Sequence, residues 1–274
     1  MKIRQIRNAT LRLDYAGTKF LIDPWLAPKD TYSGFTGTTN DHLRNPTSPL
    51  VVPMEEIVNV SAVLLTHVHP DHWDRTAAEN IAADTPFFVQ HFGDKALVSD
   101  AAALVLDAEG IRVDKIEGKT FGDVRVLTGN PEFNGVKMKK VPGQHGSDEA
   151  LQAAYDLLQE VTGIVFSDPD EKTVYLAGDT IWNEYVEANI AEYKPDVIIV
   201  NAGNAQIPGL GSIIMSPEDV AKVCAAAPNA VIIASHMESV NHAMTTRADL
   251  KAYLAEQGLS DRVLIPEDGE TLDL

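Results

Sequence analysis

Cysteine is nearly absent: Cys224 is the single one in 274 residues, so no intrachain disulfide can form and nothing points to an oxidising compartment. Long apolar runs are absent too, none approaching the roughly 20 residues that a membrane-spanning helix needs. Met1-Lys2-Ile3-Arg4 leads into alternating, strand-like sequence rather than the apolar stretch of a signal peptide, so the expected location is the cytoplasm, with no membrane partner. Basic residues are scarce: 22 Lys and Arg face 40 Asp and Glu, a formal net charge of −18. That balance repels a polyanion unless cations cluster locally, which speaks against long nucleic acid as a partner. Low-complexity tracts and solenoid-period repeats are also missing. What is present is apolar mass. At 45% hydrophobic residues the chain can bury a sizeable core, and a single domain over residues 1–274 is expected.

Ile3 to Ile22 alternates short apolar runs joined through Gly17, which suggests a hairpin. From Pro28 to Pro53 the chain turns rich in Gly, Thr, Asn and Pro, and a loop this long is usually functional or mobile, here a candidate lid. Val60 to Leu65 and Phe87 to Val89 read as strands, Arg75 to Ala83 and Lys95 to Asp107 as helices. Val113 to Val141 reads as short antiparallel strands punctuated by glycines. In the second half, strands are expected at Ile164–Ser167, Val174–Ala177, Val197–Asn201 and Val231–Ser235. Ser216-Pro217-Glu218-Asp219 starts a helix, with Ser216 as N-cap and Pro217 in the first turn. Val220, Val223, Cys224 and Ala227 then share one face, which places Cys224 in the core. Two similar halves of strands and helices fit an αββα sandwich: two mixed β-sheets packed face to face with helices outside.

The chemistry concentrates in Thr66-His67-Val68-His69-Pro70-Asp71-His72, three imidazoles and one carboxylate within seven residues directly after an apolar strand. So short a loop cannot bury that many polar heads unpaired, because each would cost several kcal/mol. A cation satisfies them together. Imidazole with carboxylate suits zinc, iron or manganese, and the lack of cysteine ligands favours a reactive site over a structural zinc. One loop cannot close two metal shells, so further donors are needed. His145, Asp179 and His236 each follow a strand-like run, a placement that converges their side chains on one sheet edge.

His67, His69, Asp71 and His72 resemble the H-x-H-x-D-H motif of the metallo-β-lactamase-fold superfamily, and His145, Asp179 in Gly178-Asp179-Thr180, and His236 match its later ligands in order. The resemblance covers nearly the whole chain and is specific for fold rather than substrate. Leu21-Ile22-Asp23-Pro24-Trp25 and the chain length look like the branch containing the ascorbate-6-phosphate lactonase. The resemblance implies two divalent metal ions, zinc first and manganese or iron as alternatives. It implies that His67, His69 and His145 hold one ion, that Asp71, His72 and His236 hold the other, and that Asp179 bridges them. Asp71 would also orient the attacking hydroxide. The expected activity is a metal-dependent hydrolase whose metal-bridging hydroxide attacks a small ester or lactone, an anionic sugar acid being one form of it. The alternative is a small-molecule phosphodiesterase or nuclease-like hydrolase on the same dinuclear site. A non-catalytic binding protein would be expected to have lost ligands, and here none is missing.

Other residues carry weaker signals. His242 is a candidate proton donor to the leaving group. Asp23 reads as a partner orienting a ligand histidine or as a turn residue. His42 lies in the 28–53 loop, where substrate contact competes with simple solvation. His91 matches no ligand motif and is expected at the rim. Asn201 ends an apolar strand, where oxyanion stabilisation competes with turn chemistry. Lys139, Lys140 and Arg247 are the nearest cations for an anionic substrate, though solvation is their default. The expected partner is a small-molecule substrate, and a homo-oligomer stays compatible with the sequence.

Overall fold

The computed structural model describes residues 1–67, 69–90, 98–99, 102–107, 110–113, 121–158 and 161–274. Two hairpins open it: Lys2–Arg7 pairs antiparallel with Thr10–Tyr15, and Thr10–Tyr15 with Thr18–Ile22. The second turn is Ala16-Gly17, with φ of +47° and +77°, the two-residue geometry whose twist matches the strands it joins. From Thr18–Ile22 the sheet continues in parallel through Ala62–Leu64, Phe87–Val89 and Val124–Val126, and Thr271–Asp273 pairs at the opposite edge. The second sheet repeats the plan. Glu132–Phe133, Val136–Pro142, Thr162–Ser167 and Val174–Leu176 run antiparallel, followed in parallel by Val197–Asn201, Val231–Ser235 and Val263–Leu264. Each sheet has seven strands among the described residues.

Alternation along the central strands sorts side chains into layers. Val197 and Ile199 face the other sheet, packing with Phe20, Leu64 and Phe166, whereas Ile198 and Val200 face outward beneath Val186, Val220 and Leu250. Those three belong to the helices Glu184–Tyr193, Pro217–Ala226 and Arg247–Glu256. In the first sheet, Leu64 points inward while Val63 and Leu65 meet Trp73 and Ala77 outside. The result is the expected αββα sandwich. Each such side chain contributes roughly 1.5–3 kcal/mol on burial, so the strands stay where both faces are covered, and the polar residues that follow them emerge at the edge.

Ser216 caps its helix by accepting from the Asp219 amide, and Cys224 is buried with Val220 and Val223. Three sequence expectations need correction. The helix from Arg75 ends at Asn80, where Ile81 turns extended. Within the stretch expected to be helical from Lys95, Val98–Ser99 and Ala102–Asp107 are strands, the latter paired antiparallel with Gly110–Val113. Ala and Leu favour a helix intrinsically, and the pairing of neighbouring backbone overrides so weak a preference. Val124–Val126 lies parallel to Phe87–Val89 rather than in an antiparallel series, because turn glycines mark where a strand stops and not the direction of the next. Among the described residues no helix is long and apolar enough to cross a membrane.

Candidate metal centre

The His-rich loop starts where Ala62–Leu64 ends and is pinned at both ends by buried carboxylates. Asp23 leaves the neighbouring strand Thr18–Ile22 with φ +46° and accepts from the Thr66 amide at 2.8 Å and the Thr66 hydroxyl at 2.7 Å. Asp74, at the far end, caps the following helix through the Ala77 amide and also accepts from the Leu26 and Ala27 amides. Between these anchors His67, Asp71 and His72 are buried, and His69 lines a cavity. The second sheet brings the rest: His145 after Val136–Pro142, Asp179 after Val174–Leu176, and His236 after Val231–Ser235.

Asp179 Oδ2 is the hub. It lies 3.2 Å from His72 Nε2, 3.6 Å from His145 Nε2, 3.6 Å from His236 Nε2 and 3.7 Å from His67 Nε2. Its other oxygen accepts from Asn201 Nδ2 at 2.5 Å, so Asn201 orients this carboxylate. His67 Nε2 and His69 Nδ1 are 3.0 Å apart, and Asp71 Oδ2 lies 3.1 Å from His236 Nε2. Two donor groups result, His67, His69, His145 and Asp179 in one, Asp71, His72 and His236 in the other, each with its ligand atoms within 4.8 Å of one another.

The outward ring nitrogens determine what faces inward. His69 Nε2 meets the Leu157 carbonyl at 2.8 Å and His145 Nδ1 the Ile213 carbonyl at 2.7 Å, and since a carbonyl only accepts, both nitrogens carry the proton. The Thr66 hydroxyl gives its own hydrogen to Asp23 and so accepts from His67 Nδ1 at 3.1 Å. His72 Nδ1 sits 3.0 Å from Asp23 Oδ2, an ion-pair contact rather than an aligned hydrogen bond. His67, His69 and His145 therefore turn lone pairs inward, a donor set that fits a cation and nothing else nearby. Burial, then the neighbouring imidazoles, hold His67 well below its usual range; burial and then His145 push His69 down to about 3. Burial also acts against charge on His72, but Asp179, Asp23 and Asp71 overcome it and raise that group. His236 is raised likewise, Asp179 and Asp71 outweighing its burial.

A cavity of about 200 Å³ opens against this cluster, lined by Asp71, His145, Asp179 and His236 together with Phe35, Leu157, Leu158, Ile207, Ile213 and His242. Among the described residues no Lys or Arg lines it. His242 is buried against the edge of Phe35, ring centroids 5.4 Å apart, and burial pushes it down to about 4. Burial thus favours the neutral imidazole, and the proton-donor role expected of His242 from sequence stays a proposal. His42 is exposed and stands apart from the cavity lining. Lys139 and Lys140 are on a strand whose residues do not reach the cavity. Arg247 is buried in an ion-pair network with Glu238 and Asp268 and is not free to hold a substrate anion. His91 lies outside the described residues.

One residue of the site carries no sequence signal. Asn8, in the first hairpin turn, donates to the Asp71 carbonyl at 3.2 Å and carboxylate at 3.3 Å, while its own carbonyl accepts from the His236 amide at 3.0 Å. It joins the donor loop of the first sheet to a strand end of the second. Only its compatibility with the left-handed turn, φ +54°, was readable.

Residues 18–237 match the family model described as the beta-lactamase superfamily domain. The chain is 40% identical over 99% of both sequences to the UPF0173 protein YddR of Bacillus subtilis (strain 168). Two solved structures are similar over essentially their whole length. The isothiocyanate hydrolase from Delia radicum gut bacteria is 42% identical with TM-score 0.89, covering 100% of this chain and 99% of that one. A possible metal-dependent hydrolase from Veillonella parvula DSM 2008 is 41% identical with TM-score 0.90 at the same coverage. With its two sheets, its converging His/Asp donors and these full-length matches, the chain belongs to the beta-lactamase superfamily and, within it, to the UPF0173 metal-dependent hydrolases.

Proposed function

We propose that this hydrolase acts, through a dinuclear centre, on small uncharged electrophiles bearing an apolar substituent, and that isothiocyanates head that class. The observation that carries the reading is the cavity itself: apolar walls of Phe35, Leu157, Ile207 and Ile213 meet the donor cluster with no Lys or Arg among the described lining residues. A phosphate or carboxylate carried on the substituent, away from the two metal ions, would meet no Lys or Arg among the described lining residues, at a heavy desolvation cost. That argues against the anionic sugar lactones of the lactonase-like branch. The similar solved structure from Delia radicum gut bacteria is an isothiocyanate hydrolase, an activity consistent with such walls.

His67, His69 and His145 would hold one ion and Asp71, His72 and His236 the other, with Asp179 between them. The donors, rich in imidazole and free of thiolate, favour zinc, with manganese or iron as alternatives. When bound, two such ions supply the Lewis acidity that brings water within reach of deprotonation at neutral pH and polarises the electrophile. Asp71 orients the attacking water, which adds its oxygen to the central carbon of R–N=C=S. His242, entering neutral, takes the water's proton and passes it to the substrate nitrogen. The O–H proton of the resulting thiocarbamic acid, RNH–C(=S)OH, passes to the same nitrogen as the C–N bond breaks, releasing the amine and carbonyl sulfide, so that R–NCS and one water balance RNH₂ and COS.

An uncharged ester or lactone is a second reading, favoured by the same neutral walls, which suit its acyl portion. The discriminating assay supplies purified protein separately with zinc and manganese and compares a short alkyl isothiocyanate, an uncharged lactone, a simple ester and a phosphodiester. Isothiocyanate turnover that releases amine and stops with chelator is expected. Preference for the lactone or ester would promote the second reading, and preference for the phosphodiester would sink both.

A further inference from the structure

Asn241 is the chief side chain that fastens the 28–53 loop to the site, beside Thr47 on the Glu238 carbonyl and Ser48 on the Ser239 hydroxyl. Asn241, buried at 2% exposure next to His242, uses its whole amide on that loop. Its Oδ1 accepts from the Phe35 amide at 3.1 Å and from Asn45 Nδ2 at 2.8 Å. Its Nδ2 donates to the Thr38 hydroxyl and the Thr39 carbonyl, both at 2.8 Å. The Asn241 backbone amide also donates to Asn45 Oδ1 at 2.8 Å. A buried amide with all its bonds made is costly to disturb, so the loop is held in one register rather than left to swing.

The element so fixed separates two spaces. Phe35, Thr36 and Pro70 line the cavity of about 200 Å³ at the donor cluster, and the same three line a second cavity of about 540 Å³ whose other walls include Trp25, Tyr32 and Arg44. Phe35 is the bulky member of this shared wall, and its ring rests by an edge on His242.

We propose that Phe35, positioned by Asn241, is the partition that sets the size of substituent this enzyme accepts, and that the space behind it is a latent extension of the substrate pocket. The inference rests on the proposed reading only in placing the reacting end of the substrate in the smaller cavity. Phe35, Thr36 and Pro70 make up the shared wall, and the Phe35 ring is its bulkiest part. Removing the ring joins the two spaces, and removing the Asn241 amide frees the ring to move.

The test uses n-alkyl hydroxamates of increasing chain length, whose head chelates metal, with affinity for the metal-loaded protein measured by calorimetry. For the wild type, affinity should climb with chain length until the smaller cavity is full and then fall. In Phe35→Ala the climb should continue past that limit at about fourfold per added methylene, the increment expected for burying one more CH₂. Phe35→Tyr should restore the limit and Phe35→Leu should relax it partly. Asn241→Ala and Asn241→Asp, the latter losing both donated bonds, should blur the limit while metal content stays at the wild-type level. An unchanged length limit in Phe35→Ala, or a wild type that binds none of the series, would overturn the partition. A sharp limit surviving in Asn241→Ala would remove Asn241 from it. Because this readout is binding, failure of isothiocyanate turnover would strike the functional reading and leave the partition to be judged separately.

Discussion

The two halves of the molecule share a sheet plan yet deliver their candidate metal donors in opposite ways. The first half gathers His67, His69, Asp71 and His72 in one loop after the strand Ala62–Leu64, with Asp23 and Asp74 holding its ends. The second half sends His145, Asp179 and His236 singly from the ends of three different strands. Donors on one short loop keep their spacing as long as that loop is held. Donors on separate strands keep theirs only if the whole sheet is packed. The hub, Asp179, comes from the second kind, so the centre is complete only when both halves are folded against each other.

The largest effect should come from the hub. Asp179→Ala removes the carboxylate that lies within 3.7 Å of four histidines drawn from both halves, where Asp71 reaches only His72 and His236, and kcat/KM should fall on the order of 10³-fold or more, with metal lost by elemental analysis and far-UV circular dichroism unchanged. A variant that keeps both metals and its activity would refute the hub. Next come the supports of each half. Asp23→Asn and Asn201→Ala should each weaken metal affinity by about 10–100-fold in competition with a chromophoric chelator. Asp23→Asn should have the larger effect, since Asp23 serves Thr66 twice and faces His72, whereas Asn201 serves Asp179 alone. The reverse order would mean that the strand-borne donors need more support than the loop.

The seam between halves is a smaller target. Asn8→Ala should destabilise the protein by about 1–3 kcal/mol in urea unfolding, through the unpaired Asp71 acceptors it leaves behind. The smallest expected effect is on pH dependence after the metal is stripped. Burial, then His145, push His69 down to about 3 from its ordinary 6.5. As pH falls through that window the unfolded chain takes up a proton that the folded chain refuses, so stability is lost on acidification. His69→Gln should therefore flatten the fall of melting temperature below pH 6.5, and an unaltered slope would show that His69 is not the group refusing the proton.

How much of this was legible in the sequence follows the same division. The first-half donors announce themselves because a dense polar run directly after an apolar strand has no bland explanation. The second-half donors were readable as residues following strand-like runs and from their match, in order, to the superfamily's later ligands, and the common direction of those strands brings them to one edge. The partners that fix the imidazole tautomers were out of reach. The carbonyls of Leu157 and Ile213 are backbone atoms, which any residue supplies, and the residues involved are far apart in sequence. Asn241 and Asn8 look like ordinary turn residues until the fold brings their partners to them. Arg247 shows the opposite error: a lone cation in sequence becomes part of a buried ion-pair network once Glu238 and Asp268 fold around it.

The central claim is that donors from both halves form one metal centre serving hydrolysis of an uncharged, apolar electrophile. Its most direct test is titration of chelator-stripped protein with zinc while amine release from a short alkyl isothiocyanate is followed. The account expects no turnover in stripped protein and a rate that rises until two equivalents per chain are bound. Turnover that persists without metal, or none at any metal loading, would contradict it.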